Sequence, residues 1–544
     1  MDPEVNDLQC LSPAAVAGSW DHFVRSFLDG YFELHPTFAA GAGRHELDGR
    51  LPDWSPEAIE REIAWLKAER ARAAGFDPAM LGERRAFERE VLKVVVDADL
   101  FWLVDAEWHR RNPMFYAGAL DPNLYLSREY APLDWRLRSY IRHARAVPRA
   151  AAQVRANLVT PMPRSFAELG KMSFGGLADY CVTDVPAVFA AVQDPALQAD
   201  FQEANAAAAR ALRELGDWFQ AQMPPAGTDA GEFRLGPERF ARMLRETERV
   251  DVPLEELAEA GRRDLERNLA ALREACAAYA PGLSVADCLA RAQAEKPEGG
   301  PVEAARRQLA GLRRFLDQQE LVSIPGEEEI RIEEAPPYQR WNSAYIDIPG
   351  PFDRHLPSVY YISPPDPAWS PREQAEYIPN EADLLFVTIH EVWPGHFLQF
   401  LHSNRAESEL ARLFVSYSFA EGWAHYAEEM MWESGFGGGD PFLHIGQLQN
   451  ALLRNVRYVV ALGLHTGSMT LAEAERMFRE EGLQDAANAR QQAARGTFDP
   501  GYLNYTLGKL MVRKLRADWT AAHPEKNGAS AWREFHDRFL SYGG

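Results

Sequence analysis

The segment TIHEVWPGHFLQF, residues 388–400, places two imidazoles, His390 and His396, on either side of the Glu391 carboxylate. On a helix, residues four apart lie about 40° from each other and can grip one cation, whereas residues six apart lie about 120° apart and do not converge. Pro394 and Gly395 stand between these two histidines. A proline inside a helix lacks a donor and collides with the carbonyl four residues back, here that of His390, at a cost of about 3 kcal/mol. Glycine adds backbone freedom at the same point. The spacing predicts a helix that distorts at Pro394-Gly395 and turns His396 back toward His390. The alternative is a helix that ends at Trp393, a second that begins near Gly395, and no shared site.

A second stretch, FAEGWAHYAEEMMWE, puts Phe419, Trp423, Ala427 and Met430 on one helical face and Glu421, His425 and Glu428 on another. The bland reading is a solvated acidic face. However, Glu421 follows His396 by 25 residues, which suits a second helix crossing the first and offering a third ligand. Two histidines and one glutamate leave a fourth position for water, as catalytic rather than structural zinc sites do. His425 is then a supporting partner or an alternative ligand, with Glu428 beside it.

The elements that must hold these groups are mostly helices. Residues 1–322 show apolar positions at three- and four-residue spacing, with Ser55-Pro56 and Ser12-Pro13 as start signals. QMPPAGTDAGEFRLG interrupts them as a loop or short hairpin. Between 328 and 363, EEIRIEEA, SAYIDIPG and SVYYIS read as three short strands. Helix resumes after Asn380, an N-cap followed by acids in the first turn. The fold expected is mainly α, a large helical body with a deep cleft and a small sheet beside the metal helix. A helical half, 1–322, would form one wall, and 323–544 would be the catalytic half.

HEVWPGHFLQ, EGWAHYAE and the later PGYLNYTLG together resemble the bacterial domain-of-unknown-function 885 (DUF885) family, whose members share HExxPGHxxQ and EGWxxYxE signatures. That family in turn looks distantly similar to zincin-type helical metallopeptidases of the gluzincin kind. The likeness runs over most of the chain, including LLRNVRYVVALGLHTGSMTLAEAERMF. Departures are His396-Phe397, where many members have two histidines, and Tyr502, where glutamine is usual. The resemblance implies one Zn2+ held by His390, His396 and Glu421, with Glu391 as general base. It implies Tyr505, or secondarily His465, as donor to an oxyanion, and Arg457 and Arg495 as forks for a substrate carboxylate. Tyr502 and, by analogy with peptide-binding strands, Tyr360 in SVYYIS would contact substrate. Against these stand ordinary packing for the tyrosines, a hydrogen-bonded core histidine for His465 and structural ion pairs for the arginines. Gln399 and His402 read as supporting or solvated.

The 544 residues carry a net charge of -22, which disfavours nucleic-acid and anionic-membrane partners. With 46% apolar residues the chain can bury a large core. Cys10, Cys181, Cys276 and Cys288 are dispersed, which suits packed thiols in a reducing compartment. The first residues lack a basic start and an apolar core, and no apolar run reaches about 18 residues, so the expectation is a cytoplasmic enzyme. The expected activity is hydrolysis of short peptides, carboxypeptidase- or dipeptidase-like. A zinc hydrolase of another amide and a helical scaffold with a degraded site are the rivals. Oligomeric state stays open, a homodimer included.

Overall fold

The structure is a computed structural model that describes residues 13–225, 233–336, 340, 343–526 and 528–544. Cys10, Ser12 and residues 226–232 of the expected 222–236 loop lie outside the described residues. Ser55 caps its helix as expected, its hydroxyl accepting from the Ala58 N–H. The chain divides into two compact units, one of residues 1–251 with 349–356, the other of 252–348 with 357–544.

In the first unit three long helices, α1 (Leu133–Asn157), α2 (Arg164–Thr183) and α3 (Pro195–Ala221), pack side by side. Segment 349–356 joins this unit because Phe352 N–H donates to the Ala42 carbonyl at 3.0 Å and Asp353 meets His45. The His45 ring lies between two carboxylates, Nδ1 at 3.1 Å from Asp48 and Nε2 at 3.0 Å from Asp353, and stacks on Tyr130.

The second unit opens with α4 (Leu254–Tyr279) and α5 (Pro301–Gln319). Strands β1 (Ile330–Glu334), β2 (Ala344–Asp347) and β3 (Ser358–Ile362) follow, then α6 (Glu381–Glu391), α7 (His396–Ser403) and α8 (Tyr417–Glu433). Beyond them lie α9 (Pro441–Thr466), α10 (Ala486–Phe498) and α11 (Asn504–Ala522), and a short helix, Ala529–Leu540, closes the chain. The fold is mainly α with one small sheet, as expected. The unit boundary falls at 251/252 rather than 322/323, because α4 runs along α9 and is tied in by charge. Asp264 of α4 takes the fully buried Lys509 ammonium at 2.6 Å, and Arg267 takes Glu429 at 2.6 Å. Burying such ions is tolerable only when each is paired.

The sheet order is β1-β3-β2, with β3 parallel to β1 and antiparallel to β2. All three strands lie where the sequence puts them. The expectation that β3 offers an edge to substrate is corrected: both its edges are taken. Tyr360 of β3 is fully buried in the same apolar core as Ile389 and Leu384 of α6, and its hydroxyl lies 3.5 Å from Thr388 Oγ1. It roofs the core and does not face substrate.

Cys276 and Cys288 form a disulfide, with Cα atoms 5.8 Å apart, which corrects the expectation of packed thiols; Cys181 is a buried free thiol. Among the described residues no helix is long and apolar enough to cross a membrane.

Burial alone would lower the His45 pKa, but hydrogen bonds to Asp353 and Asp48 raise it to about 9. The stability it contributes is therefore complete below its unfolded value of about 6.5 and is lost as pH rises through about 9. Thermal unfolding followed from pH 7 to 9.5 should show wild type losing more of its midpoint temperature than His45→Gln over the same range.

Candidate metal centre

The first imidazole depends on α6. The Asn380 side chain caps this helix, accepting from the Asp383 N–H at 2.8 Å, and Leu384, Leu385, Phe386 and Ile389 are buried in the core. The helix ends at Glu391. Val392 leaves helical geometry (φ −121°, ψ −78°), and the Trp393–Pro394 peptide is cis. Gly395 N–H then donates to the Ile389 carbonyl at 3.0 Å and Leu398 N–H to that of Val392 at 3.4 Å. Each bond spans six residues where an α-helix spans four. The expected single distorted helix is thus corrected to two helices joined by a tight non-helical turn, but the predicted convergence occurs. The His390 and His396 rings lie 4.8 Å apart, nearly perpendicular.

Two contacts fix this turn. A Cβ on residue 395 would overlap the His390 carbonyl, so only glycine allows so close an approach. From α8, the fully buried Trp423 indole donates to the Pro394 carbonyl at 2.8 Å. Ser416 caps α8, and this helix carries Glu421 half a turn before the tryptophan.

Both imidazole Nε2 atoms face one oxygen, Glu421 Oε2, at 3.2 Å from His390 and 3.3 Å from His396. The ligand atoms of all three residues lie within 4.8 Å of one another, and among the described residues this is the one such group found. Metal–ligand bonds of about 2.0–2.1 Å at tetrahedral angles set neighbouring ligand atoms about 3.3 Å apart. The donor set therefore fits a cation both in chemistry and in spacing.

Behind His390 the charge order is strict. Nδ1 donates to Glu428 Oε1 at 2.7 Å, and Arg454 on α9 reaches the same oxygen at 3.2 Å. This fixes the tautomer and leaves Nε2 aimed at the site. Burial and the Arg454 charge push the His390 pKa down, but the bonds to Glu421 and Glu428 outweigh them and lift it to about 9. Burial would raise the Glu421 carboxyl, but the two histidines hold it well below the usual range. His425 is buried with Nδ1 3.5 Å from Glu428 Oε2. It supports that carboxylate and is not part of the ligand triad. Burial and the Lys509 charge lower it to about 4, so it stays neutral. Sequence reasoning missed Arg454, although it lies three residues before Arg457 on the same helical face.

Tyr505 arrives on α11. Gly422 of α8 and Gly508 of α11 meet backbone to backbone, leaving no room for a Cβ at either. That contact brings the Tyr505 ring to 6.3 Å from the His390 ring. Arg457 lies over Tyr505 at 5.1 Å, and its Nε donates to Gln492 Oε1 at 2.9 Å. Arg495 pairs with Asp499 at 2.9 Å and donates to the Tyr417 hydroxyl at 3.1 Å. Tyr417, also missed, stands one turn before Glu421, its ring 5.7 Å from that of Tyr505. Glu391 is half-buried, and its carboxylate makes no hydrogen bond or ion pair among the described residues.

Three expected site residues lie elsewhere. His465 is buried and donates through Nε2 to the Gly496 carbonyl at 2.8 Å. It sits 11 residues beyond Arg454 on α9, about 16 Å along the axis, so the core reading holds. Tyr502 is fully buried against Gly496 and Leu464. Tyr360 is in the core as described. Gln399 is also fully buried, and His402 donates to the Ser323 carbonyl at 2.8 Å, a supporting role.

Fold and site define a mainly helical protein with a two-histidine, one-glutamate candidate metal centre. The chain belongs to the DUF885 family, "Bacterial protein of unknown function", whose profile matches residues 36–544. It is similar in fold to a candidate lipoprotein of unknown function from Shewanella oneidensis, with a TM-score of 0.80, 23% identity, and coverage of 96% of this chain and 97% of that one. A candidate lipoprotein from Colwellia psychrerythraea is similar with a TM-score of 0.77 and 16% identity, covering 98% of this chain and 97% of that one. No curated protein matches the chain significantly.

Trp423→Phe keeps the ring but strands the buried Pro394 carbonyl, so urea unfolding should show a loss of about 1–3 kcal/mol. Calorimetric titration with Zn2+ near pH 7 should release about one proton per ion as the metal replaces the proton on His390. Glu428→Gln should weaken that binding about 10- to 100-fold.

Proposed function

We propose that the protein hydrolyses peptide bonds of short peptides with one zinc ion held by His390, His396 and Glu421. The observation that carries this reading is the convergence of both Nε2 atoms on Glu421 Oε2 at 3.2 and 3.3 Å. Two imidazoles and one carboxylate oxygen suit zinc, and three protein ligands are the catalytic number. A zinc ion bound there supplies Lewis acidity and makes water a usable nucleophile at neutral pH.

The remaining chemistry belongs to side chains of this chain. Glu391, next to His390 and without a competing partner, takes the proton of the attacking water and passes it to the leaving amine. Burial and the Glu421 charge raise the Tyr505 pKa, which keeps its phenol protonated at neutral pH. It can then donate to the oxygen that gains charge as the carbonyl becomes tetrahedral, a contribution of about 3 kcal/mol. Glu428 and Arg454 hold His390 in one tautomer throughout. The Cys276–Cys288 pair and the lipoprotein description of both structural neighbours support a place outside the reducing cytoplasm, in exchange for the cytoplasmic expectation.

Purified protein should contain about one zinc per chain, and a mixed peptide library should be cleaved by wild type and spared by Glu391→Gln. Tyr505→Phe should lower kcat about 100-fold with metal content unchanged. Protein that takes up no metal, or cleavage that survives Glu391→Gln, removes the reading.

A further inference from the structure

We propose that Arg457 anchors the terminal α-carboxylate of the substrate, so that cleavage occurs one or two residues from the C-terminus. The inference rests on the peptidase reading and specifies its substrate. Three guanidinium groups, those of Arg454, Arg457 and Arg495, surround the Tyr505 side of the metal centre. Two of them are neutralised: Arg454 by Glu428 at 3.2 Å and Arg495 by Asp499 at 2.9 Å. Arg457 is half-buried and makes no ion pair among the described residues. Its one hydrogen bond, from Nε to the neutral Gln492 amide, orients the group and leaves the two terminal nitrogens of the fork free. Burial and the Arg495 charge make that lone cation still less comfortable.

The site therefore holds one positive charge that no carboxylate of the second unit answers, in a chain whose overall charge is -22. A planar fork with both terminal nitrogens open matches a carboxylate in two parallel hydrogen bonds. A backbone amide or a neutral C-terminal amide offers no such charge.

Distance selects the register. The Arg457 guanidinium carbon lies 5.1 Å from the Tyr505 ring centre, which lies 6.3 Å from that of His390. These two steps bound the span from Arg457 to the metal ligand at about 11 Å, and a paired carboxylate occupies about 4 Å of it. An extended chain advances about 3.3–3.6 Å per residue, so a span of this size holds about two residues between the scissile carbonyl and the terminal carboxylate. Water adds across the bond: its hydroxyl joins the carbonyl carbon, its proton goes to the leaving amine, and an amino acid or dipeptide departs.

The test uses zinc-loaded full-length protein and one peptide sequence made as free acid and as C-terminal amide. Wild type should cleave the acid at least 100-fold better in kcat/KM and release one or two residues by mass. Arg457→Ala should abolish that preference mainly through KM, and Arg457→Lys should restore part of it. Arg457→Gln, which keeps the stem, replaces Arg457→Ala if the latter fails to fold. Binding is measured separately by calorimetry on Glu391→Gln, where the acid should bind at least tenfold tighter than the amide. Equal cleavage of acid and amide, or internal cuts that Glu391→Gln still abolishes, overturns the anchor and leaves the peptidase standing. If neither peptide is cleaved, tighter binding of the acid lost in Arg457→Gln upholds the anchor while hydrolysis fails. Equal binding of the two overturns it.

Discussion

The candidate metal centre depends on one hydrogen bond and one missing side chain. Trp423 holds the Pro394 carbonyl, and Gly395 rests against the His390 carbonyl. Together they hold the non-helical turn at residues 392–395 that brings His396 to His390. The tryptophan belongs to the helix that supplies the third ligand. Motion of α8 that displaced Glu421 would therefore also release the turn that positions His396. The three candidate ligands come from three helices, and one hydrogen bond from the third helix holds the turn between the first two.

The glycine of the same motif makes the next connection. Gly422 lets α11 approach α8 backbone to backbone at Gly508, and this close crossing puts Tyr505 beside the site. The sequence EGW thus combines in three consecutive residues a candidate ligand, a helix crossing and support of the turn. Behind it, Glu428 and Arg454 set the protonation of His390. The buried group of Lys509, Asp264, Glu429 and Arg267 ties α4 to the same pair of helices.

Residues whose role is local were legible in the sequence. Asn380 as a cap and the three strands follow from turn chemistry and periodicity, which operate over a few residues, and the grouping of His390, His396 and Glu421 follows from the spacing of two short motifs. The break into two helices at Pro394 was not, because a contact that holds the turn comes from Trp423, 29 residues away. Arg454 was missed for a related reason: its partner Glu428 lies on another helix, and nothing near it in the chain marks it. His465 and Tyr360 look reactive by type, and only tertiary packing shows that one donates to a core carbonyl and the other lies under the sheet. The cysteines show the same limit. A spacing of 12 residues carries no pairing signal, whereas the fold sets the two Cα atoms 5.8 Å apart.

Segment 349–356 has a consequence for the order of synthesis. It lies between β2 and β3, yet Phe352 and Asp353 complete the first unit by bonding to Ala42 and His45. The first 251 residues are therefore not a closed domain. As the chain leaves the ribosome they must wait for roughly a hundred more residues before their last contacts exist. A fragment cut at the apparent boundary lacks a piece of itself.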